Sequence, residues 1–114
     1  MTVAACGGPA TATTLAIVAT DAPLDKRQAH RLAAVAATGL AKSLRLAQAA
    51  MDGDTVFAVA TGDGSGVDLV ELTELGAVAS DALARAVARG IYEASRLPGH
   101  TLPAWREKFN DGRS

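Results

Sequence analysis

Ala12-Thr13-Thr14-Leu15-Ala16-Ile17-Val18-Ala19-Thr20-Asp21-Ala22-Pro23-Leu24 leads with two hydroxyl residues into an unbroken apolar run and closes on a polar turn with a proline. This order predicts a strand from Thr13 to Thr20 followed by the start of a helix. Leu15 to Ala19 is apolar at every position rather than at alternate ones, the pattern of a strand covered on both faces. Such a strand needs neighbours at its edges and cover above and below. The chain offers one further stretch of the same kind, so part of the fold is expected to come from elsewhere.

That further stretch is Thr55-Val56-Phe57-Ala58-Val59-Ala60-Thr61, reached through Asp52-Gly53-Asp54. Between the two strands the spacing turns helical from Lys26. Leu32, Ala36 and Leu40 with Ala29, Ala33 and Leu44 share a face, and Lys26, Arg27, Arg31 and Lys42 fall largely outside it. Asp21 or Asp25 can cap this helix, which is expected to give out near Ala49 to Met51. Gly39 in its interior costs about 1 kcal/mol relative to alanine, which marks a close helix contact. A crossover helix between two strands of one sheet makes them parallel.

Beyond the loop Gly62-Asp63-Gly64-Ser65-Gly66, a second helix is expected from about Thr73 to Ser95. Its stripe is Leu75, Ala79, Ala82, Leu83, Ala86, Val87 and Ile91, and Leu97-Pro98-Gly99 ends it. The fold class is α/β, a strand-helix-strand-helix unit. Residues 1–12, with Gly7, Gly8 and Pro9, read as a flexible lead. Residues 13–105 read as a single domain and 106–114 as a polar tail, with Trp105 and Phe109 as docking points near the junction.

Composition bounds what such a unit does. A chain of 114 residues is at most one domain and buries roughly two-thirds of its unfolded surface when compact. With a net charge of -1 and 4% aromatic residues it carries neither a basic stripe nor stacking platforms, so no nucleic acid is expected as partner. Much of its 49% hydrophobic content is alanine, which buries little area per residue and keeps the core modest. Cys6 is the one cysteine, which excludes an internal disulfide. No stretch approaches the roughly 20 apolar residues of a membrane span. Residues 1–12 lack the basic start and apolar core of a signal peptide, and a cytoplasmic location is expected.

Three groups could carry chemistry. Thr13 opens the first strand after a small residue; as a new N-terminus its hydroxyl would be a nucleophile and its own amine the base. A β-branched strand opener accounts for the same residue, and Thr14 competes for the role. Asp52 and Asp54 flank Gly53 where the second strand begins, suited to hold an ammonium, a lysine or a cation, or to form a solvated turn. With the strands adjacent and parallel, Thr13 and Asp54 fall on one edge of the sheet. The 62–66 loop has no lysine after its glycines and no calcium-loop spacing with Asp63 and Asp68, so a plain loop is the better reading. His30, on a helix surface, and His100 lack metal-ligand companions.

Thr13 to Leu24, Ala29-His30-Arg31, Gly39-Leu40-Ala41 and Asp52 to Gly62 together resemble the C-terminal part of the DmpA-type aminopeptidases. That family also holds the β-peptidyl aminopeptidases and the endo-type 6-aminohexanoate (nylon) oligomer hydrolases. The likeness runs from Ala12 to the second helix. It implies the β-chain part of an αββα sandwich, released by self-cleavage, with Thr13 as the new N-terminal nucleophile. By the same likeness Asp52 and Asp54 serve self-cleavage and positioning, and no metal or organic cofactor is needed.

The resemblance also implies an α-chain-like partner supplying a lysine and an asparagine, assembly into homo- or hetero-oligomers, and peptide or ω-amino-acid amide substrates. Where the family carries Asn or Gly before the nucleophile, this chain has Ala12. Met1 stands twelve residues before Thr13, consistent with a separately encoded β-like subunit, a fragment or a degenerate relative. Two other readings stand beside the hydrolase: a non-catalytic module that oligomerises or binds partners through exposed strand edges, and a small-molecule binding module using Thr13, Asp52 and Asp54.

Overall fold

The computed structural model describes residues 13–45, 47 and 53–109. The expected lead 1–12 with Cys6 and Ala12, the aspartate Asp52, and the stretch Ala49 to Met51 lie outside the described residues. The elements run β1 (Leu15–Thr20), α1 (Lys26–Ala36), α2 (Thr38–Ser43), β2 (Thr55–Ala60), α3 (Leu69–Glu93) and α4 (Trp105–Phe109). The chain is α/β. The two strands pair in parallel, in the register Leu15 with Thr55 through Thr20 with Ala60.

Both apolar runs become strands, but each is covered on one face only. Ala16, Val18, Val56, Ala58 and Ala60 are half-buried and pack against a core of Leu24, Leu32, Ala36, Leu40, Ala79 and Leu83. Their neighbours on the opposite face stay open, with Leu15 70%, Ile17 64% and Phe57 57% exposed. The expectation of two-sided burial is therefore not met among the described residues, whose helices α1, α2 and α3 build the core on one side of the sheet.

The helices depart from the sequence reading in three places. The first helix is not continuous to Ala49: it breaks at Ala37, and α2 ends at Ser43, with Leu44 extended. At the break Thr38 Oγ1 donates to the Val35 carbonyl at 2.7 Å and lies 3.0 Å from Ser80 Oγ. A hydroxyl bonded to the preceding turn competes with the helical ladder, which is where a helix bends. α3 starts at Leu69 rather than Thr73, because the Asp68 side chain accepts the Glu71 amide and caps it there. It ends at Glu93, short of Ser95. Finally, Ala82, Ala86 and Ile91 of its expected buried stripe are exposed.

Gly39 does mark a close contact. It is buried against α3, where an added Cβ would overlap the Ser80 carbonyl oxygen. Asp25, not Asp21, is the cap of α1. Its carboxylate accepts the Gln28 amide at 2.9 Å, and Gln28 Oε1 accepts the Asp25 amide in return, a reciprocal capping box. Trp105 and Phe109 sit on α4, Trp105 packing on Tyr92 of α3 with ring centroids 5.8 Å apart.

Candidate functional site

Parallel pairing in this register brings the N-terminal ends of β1 and β2 side by side. Thr55 donates its amide to the Thr14 carbonyl at 2.9 Å, and the Thr14 amide donates to Asp54 Oδ1 at 2.8 Å across forty residues of sequence. A carboxylate accepting a backbone N–H makes a charge-assisted bond, stronger and more directional than its neutral counterpart. The Asp54 carboxylate thus fixes the backbone at the residue following Thr13. Thr13 is exposed and Asp54 half-buried. The structure therefore brings Thr13, Thr14 and Asp54 to one edge, while Asp52 lies outside the described residues.

This edge carries the exposed Thr13 hydroxyl, and the backbone of the next residue is held by the Asp54 carboxylate. Nucleophilic attack needs a hydroxyl with room for a carbonyl in front of it, and an oriented charge that steadies a cationic group in the same neighbourhood. Sequence reasoning placed the two strand ends together. It did not identify the Thr14 amide as the group the carboxylate holds, since a backbone donor has no residue-type signature.

The opposite end of the sheet is closed by a different device. The Gln28 side chain donates to the Val67 carbonyl at 2.7 Å and accepts the Val67 amide at 3.0 Å. Gly66 donates its amide to the Pro23 carbonyl at 2.6 Å, with φ of 89° at Gly66. These bonds lash the 62–68 loop to the start of α1. In that loop Asp63 accepts the Ser65 amide at 3.0 Å, and hydrogen bonds from the Ser65 side chain and backbone lower its pKa. The loop is thus bound through its own turns. The Asp-x-x-Gln spacing at 25–28 is the readable sign of the capping box; the clamp onto Val67 has no such sign.

His30 and His100 are exposed, and among the described residues no group of three or more His, Cys, Asp or Glu side chains is placed to hold a metal ion. No helix among them is long and apolar enough to cross a membrane.

Comparison with known proteins matches residues 3–102 to the profile described as Peptidase family S58. An uncharacterized aminopeptidase of Mycobacterium tuberculosis (strain ATCC 25618 / H37Rv) is 39% identical over 108 residues, covering 85% of this chain and 31% of that protein. An uncharacterized aminopeptidase of Mycobacterium leprae (strain TN) is 41% identical over 98 residues, covering 76% of this chain and 27% of that protein. The chain spans about a third of the length of these curated relatives. No solved structure matches it.

Proposed function

The chain belongs to peptidase family S58, and from that membership we propose that it is the β-subunit-like part of an amide hydrolase whose nucleophile is an N-terminal threonine, Thr13. The observation that carries the proposal is the bond from the Thr14 amide to Asp54 Oδ1, which holds the start of β1 beside a carboxylate and leaves Thr13 exposed. Cleavage of the Ala12-Thr13 bond frees the Thr13 amine. That amine takes the proton from the Thr13 hydroxyl as the oxygen attacks the substrate carbonyl. Breakdown of the tetrahedral intermediate expels the leaving amine with a proton and leaves an ester on Thr13. Water, deprotonated by the same amine, then releases the carboxylic acid.

Asp54 acts here as a positioning residue, and Asp52 joins it in maturation. The oxyanion donor and a lysine come from an α-chain-like partner. The substrates proposed are amino-terminal peptide bonds or ω-amino-acid amides of the 6-aminohexanoate type. The assembly is an oligomer with a DmpA-like αββα sandwich, working without metal or organic cofactor. The cytoplasm fits a chain with one cysteine.

Intact mass and N-terminal sequencing of the assembled protein test the first step, and Thr13→Ala tests the second. The variant should stay folded, keep the bond between residues 12 and 13 uncut and lose turnover; undiminished hydrolysis by the alanine variant removes Thr13 from the mechanism. A second reading is favoured by the open apolar face at Leu15, Ile17 and Phe57: a non-catalytic module that oligomerises through its sheet. It predicts a stable assembly with the Ala12-Thr13 bond intact and Thr13 dispensable.

A further inference from the structure

α3 turns one face to the core and leaves the other bare. Leu72, Gly76, Ala79, Leu83 and Val87 point inward. Half a turn away, Glu71, Glu74, Val78, Arg85 and Arg89 form a stripe that is exposed along its whole length. The charges on that stripe are sorted: both acids precede Val78 and both bases follow it.

Such sorting costs a solitary helix. Glu71 and Glu74 stand at i, i+3 and Arg85 and Arg89 at i, i+4, so each residue repels its neighbour of the same sign. The helix dipole explains little of it, because its influence fades within a turn of either end. Glu71 is the one acid of the first turn, and the last turn holds no basic residue. Salt bridges among the described residues join Lys42 to Asp81, Arg96 to Glu107 and Arg106 to Glu93, and none of them engages the four charges of the stripe.

The spacing answers to a two-fold axis. Glu71 and Arg89 lie about five helical turns apart and Glu74 and Arg85 about three, so the members of each pair point the same way. Both pairs are centred on nearly the same level, that of Ser80. A second helix turned end for end about that level therefore sets Glu71 against Arg89 and Glu74 against Arg85, and the rotation repeats both contacts. A parallel partner in register would set acid against acid and base against base. At the crossing stand Ala77, Val78 and Ala82, small enough to let two helix axes approach to about 8–10 Å. Val78 is 62% exposed there. Asp81 also falls beside the axis, next to its own counterpart, and Lys42 Nζ at 2.7 Å meets its charge.

We infer that the outward face of α3 is an interface between two copies of this chain, packed antiparallel about a two-fold axis level with Ser80, with Glu71 and Glu74 of each copy against Arg89 and Arg85 of the other. The contact needs no catalytic role for the chain. It lies on the side of α3 away from the sheet, which separates it from assembly through the open sheet face.

Sedimentation equilibrium of the whole chain, residues 1–114, measures the association. The protein should be a dimer at low ionic strength, and added salt should weaken it at least tenfold. Reversing the acids (Glu71→Arg with Glu74→Arg) or the bases (Arg85→Glu with Arg89→Glu) should each leave a monomer whose circular dichroism matches wild type. Mixed together, the two reversed chains should pair one to one, since every contact again joins opposite charges; a chain damaged in folding gives no such rescue. Lys42→Gln, which uncovers Asp81 at the axis, should weaken the dimer severalfold.

Single cysteines in a Cys6→Ala background report the orientation. Val78→Cys sits beside its own counterpart and should form a disulfide-linked dimer on mild oxidation. Val70→Cys, about 15 Å along the helix from the axis, should not. A chain that stays monomeric to millimolar concentration overturns the interface, as do reversed chains that still self-associate or that fail to pair when mixed. Cross-linking through Val70→Cys in place of Val78→Cys overturns the antiparallel arrangement. Dissociation by Phe57→Ser with indifference to both charge reversals moves the association to the sheet and overturns it likewise.

Discussion

The Asp54 carboxylate receives the Thr14 amide at 2.8 Å, so the acid before β2 sets the backbone before β1. A charge-assisted bond of this kind from a half-buried acid contributes about 1–2 kcal/mol. Asp54→Ala should lower stability by about that amount in thermal unfolding. On the proposal that Thr13 is the nucleophile of an assembled hydrolase, it should depress kcat more than it raises KM, because the hydroxyl would be misplaced rather than the substrate lost. Asp54→Asn, which keeps an acceptor oxygen, should recover most of the stability. Recovery of stability without recovery of rate would show that the charge itself matters.

Two glycines in the helices should respond to the same substitution with opposite sign. At Gly39 a methyl group meets the Ser80 carbonyl, so Gly39→Ala should cost about 1–3 kcal/mol through overpacking between α2 and α3. At Gly90 nothing lies within 4 Å of the added carbon, so Gly90→Ala should gain about 0.5–1 kcal/mol from helix propensity. Denaturant unfolding of the pair checks both.

Gln28 makes two bonds to the Val67 backbone and closes the capping box with Asp25. Gln28→Ala should cost about 1–2 kcal/mol and speed amide exchange at Val67 and Gly66 more than within β1. Gln28→Glu retains the oxygen that accepts the Val67 amide but sets a second oxygen against the Val67 carbonyl. It should therefore be no milder than alanine.

Lys42 Nζ donates to Asp81 Oδ1 at 2.7 Å, and that hydrogen bond, with the charge of Lys42, lowers the Asp81 pKa below its ordinary 3.8. A lowered folded-state pKa adds stability that is present above the unfolded value and lost as pH falls through the folded one. Wild type and Asp81→Asn should therefore differ in Tm at neutral pH and converge in acid below pH 3.8. Both partners are largely exposed, so the difference should be small and shrink in salt. A gap that persists unchanged at pH 2 would contradict the assignment.

Strand positions and parallel order were legible because each has a local cause, an apolar run and a crossover helix, while the carboxylates before the helical period narrowed the cap to Asp21 or Asp25 and the structure selects Asp25. Gly39 was legible as an expensive residue that only a close neighbour explains. The break at Ala37 was not, since it turns on Thr38 meeting Ser80 across 42 residues. Leu69 and Val70 hid the true start of α3, because both are exposed and belong to no buried stripe. The same holds for the open faces of β1 and β2: a run of apolar residues states that both faces seek cover and is silent on which molecule provides it. Of the candidate site, the meeting of the two strand ends was readable, and the donor that Asp54 holds was not.

The one-sided cover of the sheet makes the chain's stability a property of its mixture. Whatever binds the open face or edge of the folded form, and not the unfolded chain, adds free energy that grows with the logarithm of its concentration, about 2.7 kcal/mol at a hundred times Kd. A melting temperature measured with any such molecule present therefore belongs to a stated concentration of it, and one measured on the chain alone is the floor from which that gain is counted.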